Sequence, residues 1–441
     1  MRPGLRPEPA LSLAALRIVV AALVLVAPGF REGVQVAAQD PRRWVAPEGL
    51  GWFVSTVPIN PKLAVLSQLV CAFAGFAAIA GVYTRPALGA LTVSSFYLYS
   101  IAQLSGFVWH DAHLLWFSAL LALSPCDDVL AVDARRPLLS EHARYAPALW
   151  AVRLLLGVIY FFPGYHKLAT SGIKWAFGEN LKYQLYWKWV EHGITPSFRW
   201  DQIPGLLTAG GLFVIAFELS FVGWVLWKKA RPFLALAGIG FHLLSQFIFL
   251  IPFASLWLCY VALIDLRPVA QTLRRPCRRM ALVAARFGWR QSADLDALEA
   301  KTSAKGFTAV AGFLLLAAAV QGFRGQMQSY PFPCYPTFQW IAPKLMPDLE
   351  IVAYDAHGNA SLLVHARDAR GYRTQRQWAE LWSLAGATGS VNPSRLRAYY
   401  ETLAAQQPPD TKRVVFYRTY FSVLPEDRGN PPLKRVRLWE I

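Results

Sequence analysis

Three short stretches place ionisable side chains within or beside long apolar runs of this sequence. Tyr160–Leu168 carries His166 and Lys167, Trp109–His113 carries two histidines, and Phe241–Gln246 contains one more. Charged groups are costly inside a bilayer, and for that reason they often mark functional sites there. A lysine amine can act as a base and a histidine can donate or accept a hydrogen bond, so these stretches could together line a site for proton transfer.

Each stretch also has a structural interpretation. Lys167 could extend to the membrane interface, as lysines near helix ends do. His110 and His113 lie three residues apart on one helical face, a spacing that could bind a metal, but no second pair of ligands accompanies them. A cap or an interfacial hydrogen bond is the simpler interpretation, and we expect no metal site. His242 and Gln246 lie four residues apart and could bond across helices.

Glu218 is a carboxylate near the middle of the apolar run Leu206–Trp227. At that depth it must face a cavity or a neighbouring helix. It could form a structural ion pair with Lys167 or take part in proton transfer. The 17 Trp, 17 Tyr and 27 Phe residues are typical of interface belts and also of a flat, apolar, quinone-like pocket, and composition does not separate these two uses.

The composition indicates the setting of these residues. Of 441 residues, 55% are hydrophobic and 16% are charged, with a mean hydropathy of +0.31, whereas about a quarter of a soluble protein is charged. A disordered chain and a simple soluble enzyme are therefore excluded. The net charge of +17 comes from basic residues that lie mostly between apolar runs, so we expect a membrane protein with no nucleic-acid partner.

The expected fold is an all-α polytopic membrane bundle of about nine transmembrane helices, formed by residues 1–323. A spanning helix needs about 17–25 mostly apolar residues. The candidates are Leu11–Pro28, Leu63–Tyr83, Ala87–Leu104, Phe107–Leu123, Leu149–Gly164, Leu206–Trp227, Phe233–Leu250, Phe253–Leu266 and Phe307–Phe323.

Basic residues predict the orientation of the bundle, because short cytoplasmic loops are enriched in Lys and Arg. A cytoplasmic N-terminus places Arg85, the loop around Arg135 and Arg144, Lys228–Arg231 and the basic loop 267–305 on the cytoplasmic side. An odd number of spans then leaves the C-terminal residues outside.

Residues 324–441 are more polar and predict a small, mainly-β extracytoplasmic C-terminal domain. A turn with Gly358-Asn359, which suits positive φ, joins two alternating segments. The predicted elements are strands at Leu349–Tyr354, Ala360–His365, Arg413–Val423 and Leu433–Ile441, and a short helix at Arg373–Leu384.

Three segments of the chain resemble a known family. Tyr160–Gly178 resembles the aromatic-rich F-x-G-x-K-K-L…W-x-x-G signature of the horizontally transferred transmembrane (HTTM) domain. Asp111-Ala112-His113 with the apolar run to Asp133, and Phe241-His242 with Ser245-Gln246, match further segments in the right order. The resemblance covers about residues 10–330. It is more specific for the domain than for the activity of its members that are vitamin K-dependent γ-glutamyl carboxylases.

The resemblance implies roles for individual residues. In those carboxylases a lysine deprotonates reduced vitamin K, O2 converts the quinol into a strong base, and this base removes a γ-proton from a glutamate that then adds CO2. Lys167 resembles the lysine, His113 resembles a histidine implicated at the carboxylation step, and His242 resembles a histidine that could bond a quinone oxygen. The expected contacts with the quinol are His166, Trp175 and Gln246.

The sequence also departs from the pattern of the family. His166 replaces the first lysine of the pair, Pro163 takes a small-residue position, and about three extra residues separate Lys167 from Trp175. The Ser-Gln pair after His242 lies one position closer. The C-terminal domain is far smaller than the region with which vertebrate carboxylases hold a propeptide, which puts the protein substrate in doubt.

Two functions stay open at this point. The first is a lyase-type membrane enzyme that couples epoxidation of reduced vitamin K or menaquinol to carboxylation of glutamate in a peptide or protein, with O2 and CO2 as co-substrates. The second is a non-enzymatic maturation, export or immunity factor that binds a peptide or lipid in the same cavity. A transporter is less consistent with the sequence, because no inverted repeat is visible.

Overall fold

The computed structural model describes residues 6–106, 108, 110–132, 134, 136, 140–177, 179–269, 271–272, 296–326, 329–333, 338–365, 380–381, 383–384, 392–403 and 407–441, with backbone alone at 296–304 and 365. Within these residues, six helices are long and apolar enough to cross a membrane. They lie in Ala10–Ala37, Pro61–Ala80, Ala143–Trp175, Leu206–Trp224, Arg231–Phe249 and Lys305–Arg324. The chain is therefore a multi-pass membrane protein.

The helices, in chain order, are α1 Ala10–Val26, α2 Pro28–Ala37, α3 Gly51–Thr56, α4 Pro61–Ala80, α5 Thr84–Ala102, α6 Ala112–Ala122, α7 Ala146–Ser171, α8 Asn180–Glu191, α9 Leu206–Trp224, α10 Arg231–Phe249, α11 Ala254–Trp257, α12 Asp296–Arg324 and α13 Pro393–Glu401. Short 3-10 helices at Gly172–Trp175 and Leu258–Ala262 follow α7 and α11.

Three predicted spans do not correspond to long apolar helices. Ala87–Leu104 lies largely in α5, a helix of spanning length that is outside the six. Phe107–Leu123 contains only the 11-residue α6, which is about 16 Å long at 1.5 Å per residue. Phe253–Leu266 contains only α11 and a 3-10 helix. The structure thus does not confirm nine spans, and the orientation of the termini stays a prediction.

The helix α7 is packed closely against α9 at two glycines. A Cβ atom at Gly157 would lie 3.0 Å from Cγ2 of Val222, and one at Gly164 would lie 2.8 Å from Cβ of Glu218. Small residues at such positions let two membrane helices approach each other. The same approach brings Lys167, three residues after Gly164, opposite Glu218.

The C-terminal part contains a four-stranded antiparallel sheet in the order β4-β3-β5-β6. Its strands are β3 Leu345–Tyr354, β4 Ala360–His365, β5 Arg413–Ser422 and β6 Lys434–Glu440, while β1 Glu8–Pro9 pairs separately with β2 Glu141–His142. The four predicted strands are confirmed, although β3 begins earlier, at Leu345. The predicted turn is confirmed as well, since Gly358 has a φ of 84° and Asp355 Oδ1 accepts hydrogen bonds from the N–H groups of His357 and Asn359, both at 2.8 Å.

Some predictions concern residues outside the described part of the chain. These are residues 373–379 and 382 of the predicted helix Arg373–Leu384, Gly178 of the family signature, Asp133 and Arg135, and most of the basic loop 267–305.

The C-terminal part contacts the rest of the chain at α8 and at Arg43, among other places. Met346 and Val423 of the sheet region pack with Leu185 and Trp189 of α8 in one apolar cluster. At the second place, the Arg43 guanidinium donates two hydrogen bonds of 2.7 Å to the Glu380 carboxylate. The sheet and the bundle therefore form a continuous packed structure near α8.

The close approach of α7 and α9 leads to a stability prediction. Gly157→Leu should destabilise the protein by about 1–3 kcal/mol, because a side chain there overpacks against Val222 and forces the helices apart. Gly223→Leu on α9 is the matched control, since a Cβ atom there meets nothing within 4 Å. Unfolding in a detergent titration measures both variants, and equal stabilities would contradict the close packing.

Candidate active-site cavity

A cavity of about 440 Å³ lies among α7, α8, α9 and α10. This volume is within the range of about 300–1,000 Å³ that is usual for small-molecule sites. Most of its lining is apolar or aromatic, and the aromatic rings are those of Trp175, Trp200, Phe213, Phe241, Phe249, Phe253, Phe338 and Tyr160. The cavity therefore suits a mostly apolar ligand that carries few polar groups.

The wall of the cavity contains a buried ion pair. Nζ of Lys167 lies 2.8 Å from each carboxylate oxygen of Glu218, and both residues are buried. The same Nζ lies 5.2 Å from the centre of the Trp175 ring, a cation–π distance. Lys167 thus points into the bundle instead of extending to the interface, and the pairing with Glu218 that the sequence suggested is present.

His242 belongs to a hydrogen-bonded chain of three side chains. The hydroxyl of Tyr160 bonds both Nε2 of His242 and the hydroxyl of Tyr260. Among the described residues, Nδ1 of His242 has no hydrogen-bond partner, although the residue is only 3% exposed. A buried polar atom without a hydrogen-bond partner lowers the stability of a protein by about 1–3 kcal/mol. A ligand oxygen in the cavity would remove that cost.

His113 lines the same cavity, but both of its ring nitrogens face the backbone. Nδ1 lies 3.1 Å from the carbonyl oxygen of His110, and Nε2 lies 2.9 Å from that of Ser255. Carbonyl oxygens only accept, and a neutral imidazole has a single N–H to donate. His113 therefore donates to one of these two carbonyl oxygens, and both of its ring nitrogens lie against the backbone instead of the cavity.

Two of the predicted quinol contacts, His166 and Gln246, do not line this cavity. Nε2 of His166 lies 2.7 Å from the carbonyl oxygen of Gly322 on α12. Gln246 is exposed on α10, while its neighbour Ser245 lines the cavity. The ring of His166 therefore points towards α12, whereas Lys167 points towards Glu218 on α9. The third predicted contact, Trp175, does line the cavity.

A segment from the C-terminal part covers the cavity near α8. We call residues 338–343 the cover. Asn180 accepts a hydrogen bond from the N–H of Ala342 at 2.9 Å and donates to the Trp175 carbonyl oxygen at 2.8 Å. Gln184 donates to the carbonyl oxygen of Trp340 at 3.1 Å, and Phe338 lines the cavity. The cover is thus fixed to the residues that follow Lys167 in the chain.

Sequence reasoning missed the two tyrosines and a second buried ionic cluster. Tyr160 and Tyr260 lie in apolar aromatic runs where nothing distinguishes them from core residues. In the cluster, Glu8 Oε1 lies 2.7 Å from NH1 of Arg153 and 3.3 Å from NH1 of Arg231. Burial opposes the ionisation of Glu8, but the two guanidinium groups hold its pKa below the usual value. Arg153 is 14 residues from Lys167 along α7, about 21 Å away.

The fold and the cavity define a helical membrane protein with a buried lysine–carboxylate pair facing an apolar site. The HTTM domain matches residues 5–266, and the chain belongs to this family. The matched range holds α1 to α11 and every polar residue of the cavity described above, but not the C-terminal sheet. No curated protein and no solved structure matches the chain. Within the described residues, no group of three or more His, Cys, Asp or Glu side chains could hold a metal ion.

The ion pair leads to a second stability prediction. Lys167→Met and Glu218→Leu should each destabilise the protein by about 3–5 kcal/mol, because each leaves one buried charge without its partner. The double variant Lys167→Met/Glu218→Leu should recover most of that loss. Thermal unfolding of the four proteins forms a double-mutant cycle, and additive losses would mean that the two side chains do not interact.

Proposed function

We propose that the chain is a membrane enzyme that binds a quinol in this cavity and removes a proton from a quinol hydroxyl group with Lys167. The observation that carries this proposal is the Lys167–Glu218 pair in the wall of an apolar cavity. An amine in such a place can act as a base only if its own proton has somewhere to go, and Glu218 provides an acceptor at 2.8 Å.

Transfer of one proton from Lys167 to Glu218 converts the ion pair into an amine and a carboxylic acid. The net charge of the pair does not change, so the transfer needs no counterion. Burial makes the neutral form accessible, because the cost of removing two charges from water offsets most of the attraction that stabilises the ionic form. The free amine then accepts the proton of the quinol hydroxyl group.

Nδ1 of His242, which has no hydrogen-bond partner among the described residues, favours a ligand that carries a second oxygen atom besides the one near Lys167. Nδ1 of His242 can bond an oxygen atom, and Tyr160 holds the imidazole ring through Nε2. The aromatic walls fit a flat ring system. When bound, a quinol supplies, by reaction with O2, the strong base that deprotonation at the γ-carbon of glutamate requires.

The finer proposal concerns the overall reaction. Family membership and the resemblance to γ-glutamyl carboxylases support the carboxylation by CO2 of a glutamate in a peptide or protein, driven by epoxidation of reduced vitamin K or menaquinol. In this proposal His113 is a positioning residue, because its single ring N–H donates to a backbone carbonyl oxygen, that of His110 or that of Ser255.

A second candidate function is a non-enzymatic factor that binds a peptide or lipid in the same cavity. One observation favours it: Lys167 and Glu218 satisfy each other without any ligand. The two functions differ in what they require of residue 167. An enzyme needs an amine that can lose its proton, whereas a binding scaffold needs only a hydrogen-bond donor opposite Glu218, which arginine and glutamine also provide.

Lys167→Arg separates the two functions, because a guanidinium keeps the positive charge but does not deprotonate in a protein. Quinol oxidation, and labelling of glutamate peptides from radioactive CO2, should fall by about 10²–10⁴-fold relative to the wild type. Lys174→Arg, at an exposed lysine on the same side of the bundle, is the matched control and should retain activity.

Thermal unfolding of Lys167→Arg verifies that the variant is folded, and Lys167→Gln provides a second variant should arginine not fit. Undiminished turnover in a folded Lys167→Arg protein would contradict the assignment of Lys167 as the base. Absence of turnover in the wild type with every quinol tested would favour the binding factor.

A further inference from the structure

We infer that the cavity opens sideways, between α9 and α10, into the hydrocarbon of the bilayer, and that its ligand carries an apolar tail that stays in the membrane. Only one part of the inference rests on the proposed function, namely that the head group of the ligand is a quinol. The opening itself follows from the residues of the two helices.

Four residues that line the cavity are also exposed. Ala209, Gly210 and Phe213 belong to α9, and Leu244 belongs to α10. The exposed fraction is 44% for Phe213 and 56% for Leu244. Residues that border the cavity and are this exposed mark the place where the cavity reaches the surface of the bundle. We call these four residues the window.

Contacts of α9 and α10 with each other and with α8 close the wall on both sides of the window. On the side nearer the middle of the helices, the rings of Phe217 and Phe241 lie 5.1 Å apart. Towards the ends of the helices, Leu207 and Phe249 pack against the same apolar cluster of α8. The window is therefore a bounded opening and not a general separation of the two helices.

The depth of the window places it among the acyl chains. Phe213 is seven residues from the start of α9, and Leu244 is five residues from the end of α10. At 1.5 Å per residue, these positions lie about 10 Å and about 8 Å from the helix ends. Because both helices are long enough to cross the hydrocarbon core of about 30 Å, the window faces hydrocarbon and not water.

The arrangement of polar and apolar groups then defines the class of ligand. Lys167, Glu218 and His242 line the cavity, whereas the window is apolar and is flanked by the exposed side chains of Leu212 and Leu243. A Cβ atom added at Gly210 would meet nothing within 4 Å, so there is room at this point. The fitting ligand has a polar, flat head group and a hydrocarbon tail, as a prenylated naphthoquinol has.

The route can be tested without any enzymatic turnover. In Ser245→Cys the new thiol lines the cavity, and the protein in lipid nanodiscs is treated with a maleimide carrying a long alkyl chain. Adding Gly210→Phe should slow the labelling by about tenfold or more, because a phenyl ring fills the space at the window. Adding Gly223→Phe should have no effect, since Gly223 lies on the same helix with open space around it but outside the cavity.

Two results would overturn the inference: equal labelling rates with Gly210→Phe and Gly223→Phe, or faster labelling by a charged, water-soluble maleimide than by the alkyl reagent. The chain without Ser245→Cys gives the background labelling of its five natural cysteines, of which Cys71, Cys126 and Cys259 are buried. Thermal unfolding verifies that each variant is folded, and Gly210→Leu replaces Gly210→Phe if the phenylalanine variant is not.

A turnover experiment then separates this inference from the proposed function. Gly210→Phe should lower oxidation of a prenylated naphthoquinol by about tenfold or more relative to its effect on the same ring without a tail. If the oxidation rates of both quinols fall by the same factor, the result contradicts the inference that the tail passes through the window. If no quinol is turned over by any variant, the proposed function fails, while the labelling rates still decide whether the window is open.

Discussion

The buried pair of Lys167 and Glu218 is the interaction on which the arrangement of this protein depends. Two charges at this depth are tolerable only if they meet, so α7 and α9 must lie close together. Gly157 and Gly164 allow that approach by leaving no side chain between the helices. The rest of the cavity is formed around this constraint: α10 brings His242, and α8 with the cover closes the end of the bundle.

Several features of the site could be predicted from the sequence because polar residues are rare in apolar runs. Lys167, Glu218 and His242 were singled out for this reason, and the structure brings all three to one cavity. His166 and Gln246 could not be assigned in this way. Whether a residue or its neighbour faces the cavity depends on the rotation of the helix about its axis, which is set by packing against α12 and α9.

The number of spans could not be read from apolar length alone. The helix α6 is as apolar as a membrane helix, but it is short and almost entirely surrounded by protein. An apolar run indicates only that its side chains are kept away from water. A protein interior does this just as a lipid bilayer does. The strands of the C-terminal sheet were easier to predict, since their alternating pattern and the Gly358 turn are local features.

The cover has a mechanical consequence, since it continues into β3 after a single residue, Lys344. Phe338 at the cavity and Met346 in the sheet are eight residues apart, and hydrogen bonds at Asn180 and Gln184 hold the intervening chain to α8. A partner that shifts the sheet must therefore also shift one wall of the cavity. By thermodynamic linkage, a ligand in the cavity would alter the affinity for that partner by the same factor.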